Sequence, residues 1–253
     1  MADASGSVIR PYFRRSIPIE DKGGKAGYDP VTLADRAAEK AMIGVIRATF
    51  PDHGIIGEEF GIQRPDARFR WVLDPIDGTR AFITGLPTWG TLIGLTDGDT
   101  VKLGLMDQPV TNERFWSGPT SSHMRTGAGK PKRLKTRPCG SLKDAVLSST
   151  HPDLFSTGLE KALLEAVKSK VRMTRYGGDC YAYCMLAAGF IDIVLEPGLK
   201  TYDIAALIPI IERAGGKVST WDGGPAVHGG DILACGDPGL HQRILKLIAE
   251  TRG

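Results

Sequence analysis

Trp71-Val72-Leu73-Asp74-Pro75-Ile76-Asp77-Gly78-Thr79-Arg80-Ala81-Phe82 is a strand that ends in acid. The apolar run of Phe69, Trp71, Val72 and Leu73 predicts a buried strand, which stops at Asp74-Pro75 and turns through Gly78-Thr79 into a short helix. Two carboxylates therefore sit where a strand leaves the core. Hard cations such as Mg²⁺ take oxygen ligands, and a carboxylate pair on a rigid strand end suits them. The amides of Gly78 and Thr79, in the first turn of the following helix, suit a phosphate. A plain surface turn is the alternative, since Asp-Pro and Asp-Gly are common turn pairs and Asp is a frequent helix cap.

A second acidic element weighs against the plain turn. His53-Gly54-Ile55-Ile56-Gly57-Glu58-Glu59 is another short apolar strand that runs into carboxylates. Two neighbouring strands ending in acid repel unless a cation lies between them. Arg80 is the only base close in sequence, so a divalent metal is the better account.

GEE followed by DPIDGT resembles the inositol monophosphatase superfamily, the Mg²⁺-dependent, lithium-sensitive phosphomonoesterases. Val31-Thr32-Leu33-Ala34-Asp35 is similar to the VTxxD segment that opens the family's second helix. Tyr202-Asp203-Ile204-Ala205-Ala206 is similar to its WDxAA element, with Tyr in place of Trp. Together the four elements span the chain from about Asp29 to the last strand. The resemblance implies an α+β / α/β fold, the layered αβαβα sandwich of sugar phosphatases, with two intimate lobes and the site between them.

Composition is compatible with that fold. The chain has 253 residues, 42% of them apolar and 24% charged, enough for a sizeable core in a soluble protein. A net charge of +3 is too small to argue for a nucleic-acid or membrane partner. No apolar run has transmembrane length, and no signal peptide precedes Ile9. Cys139, Cys180, Cys184 and Cys235 are scattered without a CxxC pair and read as reduced thiols of a cytoplasmic enzyme, not a zinc site. Val8, Ile9, Tyr12 and Phe13 have helical spacing. The family's first helix is usually longer, which suggests a truncation or a late start codon.

The pattern divides the chain into an N-terminal α+β lobe (1–126), a connector (127–138) and a C-terminal α/β lobe (139–253). In the first lobe a helix runs from Thr32 to just before Pro51, with Leu33, Ala37, Ala41, Val45 and Ala48 on one face. Thr91 to Leu95 and Val101 to Met106 form a hairpin around Asp97-Gly98-Asp99, and Arg114 to Ser117 continues it. The connector carries Lys130, Lys132, Arg133, Lys135 and Arg137 without interleaved aromatics, so it reads as a solvated link. In the second lobe the predicted order is strand 145–149, helix 158–168, strand 171–174, helix 179–188 and strand 191–195. Then follow helix 203–214 closed by Gly215-Gly216, strand 217–220, strand 231–235 and helix 239–248.

The resemblance implies a mechanism residue by residue. Glu58, Asp74 and the carbonyl of Ile76 would hold one Mg²⁺, and Asp74 would bridge to a second held with Asp77 and Asp203, two or three ions per site in all. Thr79 with Glu58 would orient a water, and Asp35 would polarise the Thr79 hydroxyl. Gly78 and Thr79 would bind phosphate. No Ser, Cys or His is placed as a nucleophile, so direct water attack is expected. Gly23, Gly24 and Gly27 predict a lid over Glu20 to Asp29.

Arg80-Ala81-Phe82, where inositol phosphatases have Thr-Asn-Phe, and Tyr176-Gly177-Gly178-Asp179-Cys180-Tyr181-Ala182-Tyr183 resemble the histidinol-phosphate phosphatase type. Arg80, Asp179 and Glu196 would contact the substrate, the acids suiting a cationic alcohol phosphate. Asp179 also reads as a helix N-cap. A broader inositol or sugar monophosphatase is the alternative, and a non-catalytic, RNA-associated regulator a remote one. The expected partners are a small phosphate monoester and a second copy in a homodimer, with no nucleic acid or membrane.

Overall fold

The computed structural model describes residues 1–21 and 30–252. Glu20 and Asp21 belong to strand β1 (Ile19–Asp21), which pairs antiparallel with β2 (Pro30–Thr32). The rest of the expected lid lies outside the described residues.

Five layers stack as helix, sheet, helix, sheet, helix. The first holds α1 (Ala2–Ile9) and α2 (Leu33–Thr49). Beneath them lie β3 (Gly54–Gly57), β4 (Gly61–Gln63), β5 (Phe69–Asp77), β6 (Gly90–Asp97), β7 (Thr100–Gln108), β8 (Glu113–Ser117), β9 (Ser122–Thr126) and β10 (Lys132–Arg133). They form one eight-stranded sheet in the order β10-β9-β8-β7-β6-β5-β3-β4. The short α3 (Thr79–Ile83) follows β5. The middle helices are α5 (Asp179–Ala187), α6 (Thr201–Ile204) and α7 (Leu207–Glu212). The second sheet joins β11 (Val146–Ser149), β12 (Met173–Tyr176), β13 (Ile193–Leu199), β14 (Lys217–Thr220) and β15 (Gly230–Cys235), in the order β12-β11-β13-β15-β14. Its outer face carries α4 (Gly158–Lys168) and α8 (Pro238–Arg252). No described helix is long and apolar enough to cross a membrane.

Strand alternation builds the layers. Trp71, Leu73 and Ile93 face Met42 and Ile46 of α2. On the opposite face Leu92, Met106 and Phe115 meet Tyr183, Leu207 and Ile210, which also pack on Val194, Ile232 and Ala234. Ile193, Leu195 and Leu233 point outward to Leu163, Val167, Leu240 and Ile244.

Three expectations change. The buried face of α2 is Ala34, Ala38, Met42 and Ile46, flanked by Asp35 and Glu39, while Leu33 is exposed. Alanines on several faces leave such a helix with little periodic signal. The helix expected over 203–214 is two helices, because Pro209 has no N–H to return to the carbonyl of Ala205. Within the basic stretch 127–138, Lys132 and Arg133 form an edge strand on β9. The hairpin has the expected form, with Gly98 at φ 59° in its turn.

Candidate active site

β3 and β5 are parallel neighbours, Gly57 opposite Leu73, so Glu58 follows β3 beside the acidic end of β5. On a regular strand Asp74 and Asp77 would point to opposite faces. A register shift between them, from Asp74 opposite Leu92 to Asp77 opposite Gly90, inserts the extra residue that brings both to one side. Gly78 then turns the chain at φ 86°, where a Cβ would lie 3.0 Å from the Asp179 side chain. The turn therefore requires glycine.

Asp203 arrives from the far end of the chain. It lies in the first turn of α6, where its Oδ2 accepts the Lys200 N–H at 2.6 Å. The α6–α7 junction rests on the large sheet over Gly104 and Gly94. A Cβ at Gly104 would be 1.9 Å from the carbonyl oxygen of Ala206. Backbone-on-backbone packing at Gly104 lets Asp203 reach β5. Carboxylate oxygens of Asp74, Asp77 and Asp203 then lie within 4.8 Å of one another.

The electrostatics of the cluster suit a cation. Burial, then the charges of Glu58, Asp77 and Asp203, push the Asp74 carboxyl well above its ordinary range. Burial and the charges of Asp203 and Asp179 do the same to Asp77. Asp74 is 2% exposed, and its Oδ1 has no hydrogen-bond partner. A buried, unpartnered carboxylate oxygen among other acids is costly unless a cation meets it. The donors are all oxygen, so the residues fit a hard divalent ion.

Other expected residues are placed differently. Asp35 is buried, and its Oδ2 accepts from the N–H and hydroxyl of Thr32 at 2.9 and 2.6 Å, which caps α2. Burial pushes this carboxyl up to about 6. The Thr79 hydroxyl donates to the carbonyl of Ile76 at 3.1 Å, and no Asp35–Thr79 hydrogen bond is among those of the described residues. Competition from Thr32, three residues away, accounts for the difference. The same face of α2 carries the fully buried Glu39, which sequence reasoning missed; its carboxylate accepts the N–H groups of Glu59 and Phe60 at 2.8 and 3.1 Å. A second acid one helical turn after Asp35 was the available signal.

A cleft of about 250 Å³ opens beside the cluster, lined on one side by Asp77, Gly78, Thr79 and Arg80 of the turn after β5. Thr150, Leu154, Asp179, Cys180, Tyr183, Glu196, Leu199 and Asp203 complete its lining. Asp179 follows the N-cap Gly178 at φ 42°, an uncommon conformation for a residue with a side chain. Burial and the charge of Glu196 raise its carboxyl to about 7, with Arg80 and Thr88 pulling the other way. Glu196 is buried too. Its Oε1 accepts from the N–H and hydroxyl of Thr150 at 2.7 and 2.6 Å, and its Oε2 from the Tyr183 hydroxyl at 2.9 Å. Thr150, Leu154 and Leu199 carried no sequence signal beyond their places beside strand ends, while Tyr183 lay in the stretch read as substrate-facing.

Five layers with an acidic oxygen-donor cluster between two sheets define a phosphatase of the layered αβαβα class. The chain belongs to the inositol monophosphatase family, whose model matches residues 1–252. It is 44% identical to the bifunctional phosphatase IMPL2, chloroplastic, of Arabidopsis thaliana, over 98% of this chain and 72% of that protein. It is 33% identical to a histidinol-phosphatase of Mycobacterium tuberculosis, over 87% of this chain and 85% of the relative. The solved structure of an inositol monophosphatase from Zymomonas mobilis superposes with a TM-score of 0.86 at 40% identity, over 98% of this chain and 94% of the other.

Proposed function

We propose that the chain is a Mg²⁺-dependent phosphomonoesterase that prefers L-histidinol phosphate and hydrolyses it by direct attack of water. The observation that carries the substrate reading is the acidic wall of the cleft. Asp179 and Glu196 line the cleft, Asp179 packed against the Asp77-Gly78 turn and Glu196 beside it, outside the Asp74–Asp77–Asp203 cluster itself. A substrate with an ammonium group meets a charge there that a neutral polyol does not need. The name of the M. tuberculosis relative supports the same reading.

Glu58, Asp74, Asp77, Asp203 and the Ile76 carbonyl would hold two or three ions. Bound divalent cations supply charge that neutralises the phosphoryl oxygens and leaving oxygen, and lower the pKa of water into the physiological range. The first-turn N–H groups of Gly78 and Thr79 have no intrahelical acceptor and bind phosphate oxygens. Glu58 would accept a hydrogen bond from the attacking water, and the Thr79 hydroxyl, which donates to Ile76 O, would accept another. Cys180 is not a nucleophile. Its thiol is buried, and desolvation with the charge of Asp77 raises it well above its ordinary value, so the thiolate does not form.

A broader inositol or sugar monophosphatase is the second reading. Glu196 already holds Thr150 and Tyr183 with both oxygens, which leaves less of its capacity for a cationic ligand. The test is phosphate release from L-histidinol phosphate and inositol 1-phosphate, with and without Mg²⁺. A kcat/KM at least tenfold higher for histidinol phosphate supports the first reading. Equal values support the second, and no Mg²⁺-dependent release from any monophosphate removes both.

A further inference from the structure

We propose that Glu39 is a positioning residue for the metal site, holding the turn that aims Glu58 at Asp74. The proposal rests on the reading of Glu58 as a metal ligand. Glu58, Glu59 and Phe60 form the three-residue turn between β3 and β4, closed by Gly57 opposite Gly61, with Gly61 at φ 66°. Such a turn leaves amides pointing inward that need acceptors. Glu39, 0% exposed, supplies both: one carboxylate oxygen takes the N–H of Glu59 and the other that of Phe60. The Glu58 N–H donates to Leu73 O at 3.2 Å, next to Asp74 on β5. All three amides of the turn are thereby fixed, two by α2 and one by the metal-site strand.

The packing is specific to a carboxylate. A Cβ at Gly57 would lie 1.9 Å from Glu39 Oε1, so glycine is what admits the carboxylate beneath the turn. Two adjacent donors need two acceptors, which a carboxylate provides and an amide does not. Arg36, one turn earlier on α2, lies 3.7 Å from Glu59, whose side chain is 2% exposed. Glu59 thus faces α2. Glu58 follows β3 beside β5, where its charge acts on Asp74.

The experiment titrates Mg²⁺ calorimetrically into metal-free full-length enzyme and its Glu39→Gln, Glu58→Gln, Gly57→Ala and Glu39→Gln/Glu58→Gln variants. Urea unfolding is recorded for each. Glu39→Gln sets an NH₂ against an N–H and should weaken Mg²⁺ roughly 10- to 100-fold, the usual cost of losing a residue that orients a ligand. Gly57→Ala, which displaces the same carboxylate, should do likewise, and raising Mg²⁺ should restore phosphate release in both. The double variant should bind no more weakly than Glu58→Gln, because Glu39 acts through Glu58. Mg²⁺ affinity of Glu39→Gln within twofold of wild type, beside a weakened Glu58→Gln, overturns the proposal. So do additive losses in the double variant, which signal general loosening. If Glu39→Gln does not fold, Gly57→Ala decides by the same criterion. An unchanged Glu58→Gln instead sinks the reading of Glu58 as a ligand.

Discussion

The backbone N–H of Cys180 donates to Asp77 Oδ2 at 2.8 Å, joining groups 103 residues apart in the chain. Cys180 lies in the first turn of α5 and Asp77 ends β5, so one hydrogen bond ties the middle helical layer to the acidic turn. The helix N-terminus also favours the negative charge that burial opposes. The acidic cluster and the cleft thus share this hydrogen bond as one wall.

Asp74→Asn should abolish turnover while raising the stability of the metal-free protein. The carboxyl is held far above its ordinary pKa by burial and by three neighbouring acids, and an amide relieves that repulsion. Thermal melts in EDTA should shift upward and phosphate release should fall by more than tenfold, which is over ~1.4 kcal/mol of barrier. Retention of a tenth or more of wild-type kcat would mean that Asp74 does not hold the metal.

Asp179→Asn separates substrate reading from helix support. Its carboxyl lines the cleft beside Gly78, so the near-isostere should raise KM for histidinol phosphate by roughly thirty- to a hundredfold, a larger change than in kcat. Hydrolysis of glycerol 2-phosphate should scarcely change. Equal losses on both substrates assign Asp179 to the start of α5 alone.

Gly104→Ala places a methyl group where the Ala206 carbonyl oxygen now sits, 1.9 Å from the added carbon. The α6–α7 junction must lift, taking Asp203 with it. We expect a loss of ~1–3 kcal/mol in urea unfolding, the usual cost of overpacking, together with weaker Mg²⁺ binding. Gly94→Ala, with its nearest junction atom at 3.4 Å, is the control and should keep metal affinity near wild type.

His241 makes stability depend on mild acid. The ring is buried, its Nε2 meets Ser219 Oγ at 2.9 Å, and its Nδ1 has no partner. Burial, with a smaller push from Lys217, lowers its pKa from 6.5 to about 4. Between those values the unfolded chain binds a proton that the native ring refuses, so stability rises with pH there. The contribution is complete above pH 6.5 and is lost as pH falls toward 4. Between pH 7.5 and 5 the wild type should lose ~2 kcal/mol more than His241→Gln in urea titrations. Parallel curves would show that the ring accepts its proton without cost.

Much of the catalytic face was legible in the chain itself because its signals are local. A strand running into Asp74-Pro75-Ile76-Asp77-Gly78, the start of a helix at Thr32 and Gly98 between two strands each act over a few residues. Caps and turns depend on the backbone nearest to them. Those elements appear where the residues call for them. What the sequence did not carry depends on which groups meet after folding. Alanines around α2 hid the face that buries Asp35 and Glu39. The break before α7 follows from Pro209, yet the approach of Asp203 to Asp74 depends on Gly104, two strands away from Asp74 in the same sheet. The Thr150–Glu196–Tyr183 set joins one strand end, a second strand and a helix. Local sequence determined the turns and the oxygen donors they present. Tertiary packing alone decided which acids are buried together, and therefore which carboxylates need a cation.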